Sequence, residues 1–304
     1  MIKNIFKLSL KKILNNIFRS LGFYKILLRI QNIFIFLNLE EWKPRFSNYP
    51  YLSGDSFLMI ADVVYIEKFK RPIKLRQKSE ICFIEVSIFN SINDLKILYD
   101  FKKIIIHNGD NSPNLDYINL LVKRKIYVYS VNILSKSKYI CPIPIGLENL
   151  YLRRNGSMHY FNPLNISNIS KRKDKILLSS FSNATNPSIR KKLTKEIYKY
   201  GYENKFYSIK KYRKELARSY FVLSPPGNGF DCHRTWEAIY FKTIPVVLKG
   251  YFGFEGLDLP IFVVESYETF LSFSEDEKLE IYYELIKKSN HQTYIDWWIN
   301  LIRG

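Results

Sequence analysis

The sequence predicts an α/β protein built as two halves that face one another. Three observations lead there: apolar runs of strand length, helix-compatible segments between them, and an irregular, basic, Asn-rich stretch at 150–175 where the alternation stops before resuming. With 304 residues, 47% hydrophobic and 16% aromatic, the chain has enough apolar surface for two cores, which excludes a globally disordered protein.

The first element is a basic leader. Residues 1–30 carry seven Lys or Arg and no acid. Phe6, Leu10, Ile13, Leu14, Ile17 and Leu21 recur at helical spacing, with Lys3, Lys7, Lys11 and Arg19 on another face. Such a basic amphipathic N-terminal helix lies in an anionic membrane interface or packs its stripe on the protein's own core. It lacks a cleavage site of small residues, and no run of apolar residues is long enough to span a bilayer.

Beyond YLSGDSFLMIADVVY (51–65), EICFIEVSIF (80–89) and KKIIIHNGD (102–110) read as buried strands, with a helical segment at 91–101 between them. A helix at 115–125, a strand at 126–132 and a proline-broken strand at 139–149 complete the first half. The second half repeats the style with strands at 174–182, 220–227, 243–250 and 261–266. Helices at 187–201, 210–219 and 231–242 separate them, and further helices run to the end. Mainly parallel sheets follow, with ligand-binding loops at the carboxyl ends of the strands. The division is a leader (1–40), a first α/β domain (41–165) and a second (166–304).

The formal charge of +19 favours an anionic partner, whether nucleic acid, acidic membrane or phosphorylated ligand. A composition biased toward Lys, Ile, Asn and Tyr explains it equally well. Cys82, Cys141 and Cys232 are few and scattered, which argues against a disulfide framework or a zinc site and fits a reducing cytoplasm.

The segment 224–250, SPPGNGFDCHRTWEAIYFKTIPVVLKG, carries the chemistry. A strand ends at Ser224, the loop PPGNGF follows, and a helix begins near Asp231, which is placed to cap it. Gly227 and Gly229, with Asn228 between them, permit close backbone approach. The helix start offers free N–H groups and the positive end of a dipole, both favourable to a phosphate. Arg234 falls in the first turn, where a cation opposes that dipole and calls for an anionic partner, internal or bound. Glu237, three residues on and on the same face, is suited to accept both hydroxyls of a ribose. Together these features read as a nucleotide site; the alternative is a structural turn with an Arg234–Glu237 ion pair. Neither GxxxxGK[ST] nor GxGxxG is present. His233 reads as a ligand contact or a satisfied structural histidine, and Trp236 and Tyr240 read as core.

The stretch 220–250 resembles the donor-binding signature of exostosin-like glycosyltransferases and their bacterial relatives. There a strand, a Pro/Gly loop, R-x-x-E-A and x-I-P-V-V recur in this order. The similarity is close over about thirty residues, and YLSGDSF, HNGD and PIGLEN add weaker similarity in the first half. The resemblance implies the GT-B architecture, two facing Rossmann-like domains with the nucleotide sugar held mainly by the second. It also implies an inverting transfer with no bound metal and no cofactor. Carried onto this chain, Gly227, Asn228 and Gly229 approach the diphosphate, Arg234 binds it and Glu237 holds the ribose.

Arg190, beyond the strand at 174–182, reads as a further phosphate contact or as a solvated helix charge. An inverting transfer needs a base for the acceptor hydroxyl. It is expected across the cleft: Asp110 in HNGD first, Asp55 in SGDSF next, then Glu148, each of which also reads as a loop-capping carboxylate. The expected function is transfer of a sugar from a nucleotide-sugar donor to a saccharide or lipid-linked acceptor, in surface polysaccharide synthesis. The expected setting is the cytoplasm or the inner membrane face, with an anionic membrane surface as partner and no specific nucleic acid. Two other classes stay open: a basic nucleic-acid-binding protein, from the Lys- and Tyr-rich stretch 196–215, and a non-catalytic nucleotide- or sugar-binding scaffold.

Overall fold

The computed structural model describes residues 48–67, 71–149, 161, 173–251, 253–254, 257–289 and 291–304. The leader and most of the 150–175 stretch lie outside the described residues. The chain is α/β, with one mixed and one parallel sheet.

The first sheet has six strands: β1 (Val63–Tyr65), β2 (Ile73–Lys74), β3 (Ile81–Glu85), β4 (Lys103–His107), β5 (Tyr127–Ser130) and β6 (Ile140–Pro142). Their spatial order is β2-β1-β3-β4-β5-β6, all neighbours parallel except the edge pair β1–β2. β3 and β4 are nearly continuous apolar runs because both faces of a parallel sheet are covered. Three short helices belong to this half: α1 (Gly54–Leu58), α2 (Val86–Ser91) and α3 (Leu115–Lys123). Asn114 caps α3 by accepting from the amides of Asp116 and Tyr117.

Two expected elements differ. The apolar run 80–89 is not one strand, since α2 starts at Val86. Val86 and Phe89 are buried while Ser87 and Asn90 are exposed, a three-residue spacing that a helical turn allows and a strand does not. Of the helix expected at 91–101, only a 3₁₀ turn over Leu95–Leu98 forms, capped by Asp94.

The second sheet has four parallel strands in the order β10-β9-β8-β7: β7 (Lys175–Leu178), β8 (Ser219–Leu223), β9 (Ile244–Leu248) and β10 (Phe262–Val264). Around it stand α4 (Pro187–Lys199), α5 (Ile209–Arg218), α6 (His233–Tyr240), α7 (Tyr267–Ser272) and α8 (Glu275–Leu285). α4 begins with a proline, whose missing N–H needs no partner there, and Gly201 beyond its end takes φ 77°. Strand alternation divides this half between two cores. Phe221 and Leu223 face a cluster with Phe270 and Tyr282, whereas Val222 between them joins the larger core that includes the first sheet.

The last helix, α9 (Ile295–Arg303), packs on the first half. Trp298 meets Phe57 edge-on at 5.8 Å, Tyr49 donates to Asp296 (2.7 Å), and the Lys103 ammonium reaches the Ile302 carbonyl. Arg303 pairs with buried Asp62 at 2.7 Å, whose other oxygen accepts from the amides of Glu80 and Ile81. The chain thus returns across the division read at residue 166. Among the described residues, no helix is long and apolar enough to cross a membrane.

Candidate functional site

The loops that follow β4, β5 and β6 meet the loop that follows β8, so the carboxyl ends of both sheets border one junction. The β8 loop is held firmly. Arg190, 6% exposed, donates from Nε to the Pro226 carbonyl (2.9 Å), from Nη2 to Pro225 (3.1 Å) and from Nη1 to Ser182 (3.0 Å). It is therefore not a solvated helix charge, and three of its N–H directions are already occupied by the protein. Gly227 lets it in, because a Cβ there would lie 3.0 Å from Arg190 Nη2. Gly229 makes a different close approach: a Cβ on it would overlap the Asp110 carbonyl oxygen and the Asn132 carboxamide. Asn228, at the tip, is exposed.

Asp231 does not cap the helix. α6 starts at His233 with Cys232 in the capping position, and no side chain accepts from its first amides. Asp231 instead joins the halves. It accepts from the Ile145 amide (2.8 Å) and from Trp236 Nε1, and its own amide donates to Asn132 Oδ1 (2.8 Å). Burial pushes its carboxyl up to about 7, against the pull of those donors. Asn132 completes the joint by donating to the Asp110 carbonyl (2.9 Å) and, from its amide, to the Tyr251 hydroxyl (3.1 Å).

Past this joint lies a group of polar atoms with unmet hydrogen-bonding capacity. Arg234 Nε is buried with no hydrogen-bond partner. The Tyr212 hydroxyl is buried within reach of both Arg234 and Glu237, and the Tyr267 hydroxyl is buried beside Arg234 with no hydrogen-bond partner. Glu237 is 7% exposed, and no ion pair joins it to Arg234, so the purely structural i, i+3 pair is not formed. Desolvation raises the Glu237 carboxyl; Arg213, His233 and Arg234 oppose that shift and Glu148 adds to it. Arg234 Nε and the Tyr267 hydroxyl leave hydrogen-bonding capacity unmet near the Glu237 carboxyl, and an unsatisfied buried polar group costs about 1–3 kcal/mol.

The first half contributes around this group. Glu148, in PIGLEN, faces Glu237 closely enough to perturb it. Asp110 touches Gly229 through its backbone, and its side chain is exposed. Asp55 is buried in the first turn of α1, where its amide donates to Asn149 Oδ1 (2.9 Å); Asn149 in turn donates to Asn108 Oδ1 (2.9 Å). Thus Arg234 and Glu237 come together with Glu148, while Asp55 belongs to a separate carboxamide network. His107 turns inward. Its Nε2–H donates to the Pro144 carbonyl (3.0 Å) and its Nδ1 accepts from the Asn108 amide (2.7 Å). Burial holds it neutral, with its pKa lowered to about 3.

Tyr212, Tyr267, Arg213 and Asn132 were not singled out from sequence. Tyr212 and Arg213 stand in a lysine-rich helix whose surface-like composition hides their burial, at 8% and 3% exposure. Trp236 and Tyr240 are core, as expected; the Tyr240 hydroxyl donates to the Thr293 carbonyl (2.6 Å) and accepts from the Leu52 amide (3.1 Å). Among the described residues, no group of three or more His, Cys, Asp or Glu side chains is placed to hold a metal ion. In comparisons with known proteins, no protein-family model matches the chain and no curated protein matches its sequence.

Proposed function

We propose that this protein is a glycosyltransferase that moves a sugar from a nucleotide-sugar donor to a saccharide or lipid-linked acceptor. In this reading the two sheets are the cores of facing GT-B domains, with the donor on the second. Transfer is inverting and independent of a bound metal, and serves surface polysaccharide synthesis at the cytoplasmic face of the membrane, where the basic leader would meet anionic lipid. The observation that carries it is the buried Glu237 carboxylate, unpaired with Arg234, one turn into a helix whose first amides have no side-chain cap. The resemblance of residues 220–250 to exostosin-like enzymes supports the same assignment.

The chemistry follows from charge. Arg234 and the uncapped amides attract the diphosphate and stabilise the charge that grows on it as the sugar leaves. Glu237 accepts from the ribose hydroxyls. Gly227, Asn228 and Gly229 shape the rim, and Arg190 acts by fixing that loop. Asp110, Asp55 and Glu148 are the carboxylates to test as the base that takes the acceptor's proton.

A thermal-shift screen of UDP, GDP, ADP, dTDP and CMP tests the reading. One nucleotide at about a hundred times its dissociation constant should stabilise the wild type by about 2.7 kcal/mol. Glu237→Gln and Arg234→Ala should each weaken binding at least about tenfold, or about 1.4 kcal/mol. Stabilisation by none of these nucleotides would refute the reading.

A second reading, nucleic-acid binding, is favoured by one observation. Tyr198 and Phe206 are 56% and 73% exposed among the exposed lysines 195, 199, 205, 210 and 211. It requires oligonucleotide affinity that falls steeply and linearly with log salt concentration.

A further inference from the structure

The geometry points to His233 as the residue that supplies a proton to the leaving diphosphate, an inference that rests on the donor-site reading above. His233 is the first residue of α6 and is partly exposed. Its Nδ1 lies 2.7 Å from the Gly146 carbonyl oxygen, across the junction between the halves. A carbonyl oxygen only accepts, so Nδ1 carries a hydrogen. The other nitrogen, Nε2, makes no bond to any described residue and is the atom left to take or give a proton.

The first half sets this tautomer rigidly. Gly146 adopts φ 68°, a left-handed conformation, and a Cβ there would overlap the Leu52 backbone carbonyl. The next amide, Leu147, donates to that same carbonyl at 2.7 Å. The Gly146 oxygen is thereby fixed in direction and holds the imidazole ring.

Charged groups of both signs surround the ring. Glu237 is one turn along the same helix and Asp231 stands just before it; Arg234 opposes them. From the first half, Glu148 faces Glu237, and His107 of β4, engaged at both nitrogens, adds no charge. The Tyr267 hydroxyl, more than nine-tenths buried and without a hydrogen-bond partner, lies beside Arg234 near the same helix start. To act as this acid, Nε2 must carry a proton while the diphosphate is bound. In the transfer, the bond from the anomeric carbon to the phosphate oxygen breaks and its electron pair stays on that oxygen. The Nε2 proton goes to the same oxygen, the acceptor hydroxyl oxygen bonds to the carbon, and the hydroxyl proton goes to the base. In this proposal His233 acts on the leaving-group side, at the start of the helix that also carries Arg234. It is therefore not the base for the incoming hydroxyl, which in an inverting transfer approaches from the other face.

The test is calorimetric titration of the full chain with UDP, GDP, ADP and dTDP, in pairs of buffers of different ionisation heat, from about pH 6 to about pH 9. The nucleotide that binds should be taken up with a proton, approaching one per site at some pH in this range. His233→Asn places its amide nitrogen where Nδ1 lies, so it keeps the Gly146 bond and the fold. It should bind with no proton uptake and transfer about 10²- to 10⁴-fold more slowly. Proton uptake absent from the wild type, or unchanged in His233→Asn, overturns the assignment, while loss of binding in Arg234→Ala still upholds the donor site. Absence of binding by every nucleotide overturns both.

Discussion

Asp231→Asn perturbs the joint between the halves in a way that depends on pH. Asp231 is 2% exposed, and burial raises its carboxyl from the ordinary 3.8 to about 7. Between those limits the folded protein keeps a proton that the unfolded chain has released. Stability falls with rising pH wherever the native state binds more protons. A span of about three units at about 1.4 kcal/mol each gives about 4 kcal/mol lost between about pH 4 and about pH 7, with no further loss above. Asparagine has no such proton. It retains one oxygen for the Ile145 amide or the Trp236 indole, so the variant should be the less stable protein near pH 5. Its deficit should then shrink by several kcal/mol by about pH 8. His107 works in the opposite sense: held near 3 in the fold, it favours unfolding as pH falls below its ordinary 6.5. The two slopes oppose one another in the wild type from about pH 4 to about pH 6.5, and Asp231→Asn should expose the histidine slope alone. Urea denaturation followed by tryptophan fluorescence at stepped pH measures both. Parallel stability curves for the two proteins would refute the protonated, buried Asp231.

Two further substitutions test the packing of the junction and of the returning helix. Gly229→Ala forces the β8 loop away from the Asp110 carbonyl and Asn132, at about 1–3 kcal/mol. Gly201→Ala, with open space around it and φ 77°, should cost only about 1 kcal/mol of left-handed strain. Equal denaturation midpoints would remove the Gly229 contact from the account. Asp62→Ala strands the amides of Glu80 and Ile81 and leaves Arg303 only the Ile60 carbonyl, and should cost about 3–5 kcal/mol. Arg303→Ala should cost less, about 1–2 kcal/mol, because its side chain is one-third exposed, and should speed proteolysis at the C-terminus.

What could be read in the sequence was what short-range physics controls. The strands at 103–107, 127–130 and 244–248 announce themselves because a doubly covered parallel sheet needs apolar side chains on both faces. The helix after Asn186 is marked by Pro187 and Gly201, residues whose backbone limits fix a start and a stop. Val86 was misread because an apolar run of ten residues does not show where period two gives way to period 3.6. Asp231 was misread for a deeper reason. An acid ahead of a helix is a cap by local rules, but here the Ile145 amide, 86 positions away, competes for it and wins. The same limit hid Tyr212 and Tyr267, whose significance is that their hydroxyls lie near Arg234 from two other helices.

The way polar groups are used at the start of α6 is what favours the proposed site over a purely structural turn. Arg190, Asp231, Asn132 and the His233 Nδ1 are engaged with backbone groups, and they would be sufficient to hold a structural loop in place. A chain that needed only that loop would gain from replacing Arg234 and the Tyr267 hydroxyl with apolar groups of like shape, since each buried unmet group costs about 1–3 kcal/mol. Instead they stand near Glu237, which is on a helix whose start meets the loops of the first sheet. Desolvation favours the neutral form of that carboxyl, and the neighbouring cations pull it toward the charged form. A ligand with anionic oxygens for Arg234 and the Tyr267 hydroxyl, and donor groups for Glu237, would satisfy both demands at once. A diphosphate attached to a ribose has that pairing of chemistry over a span of a few bonds.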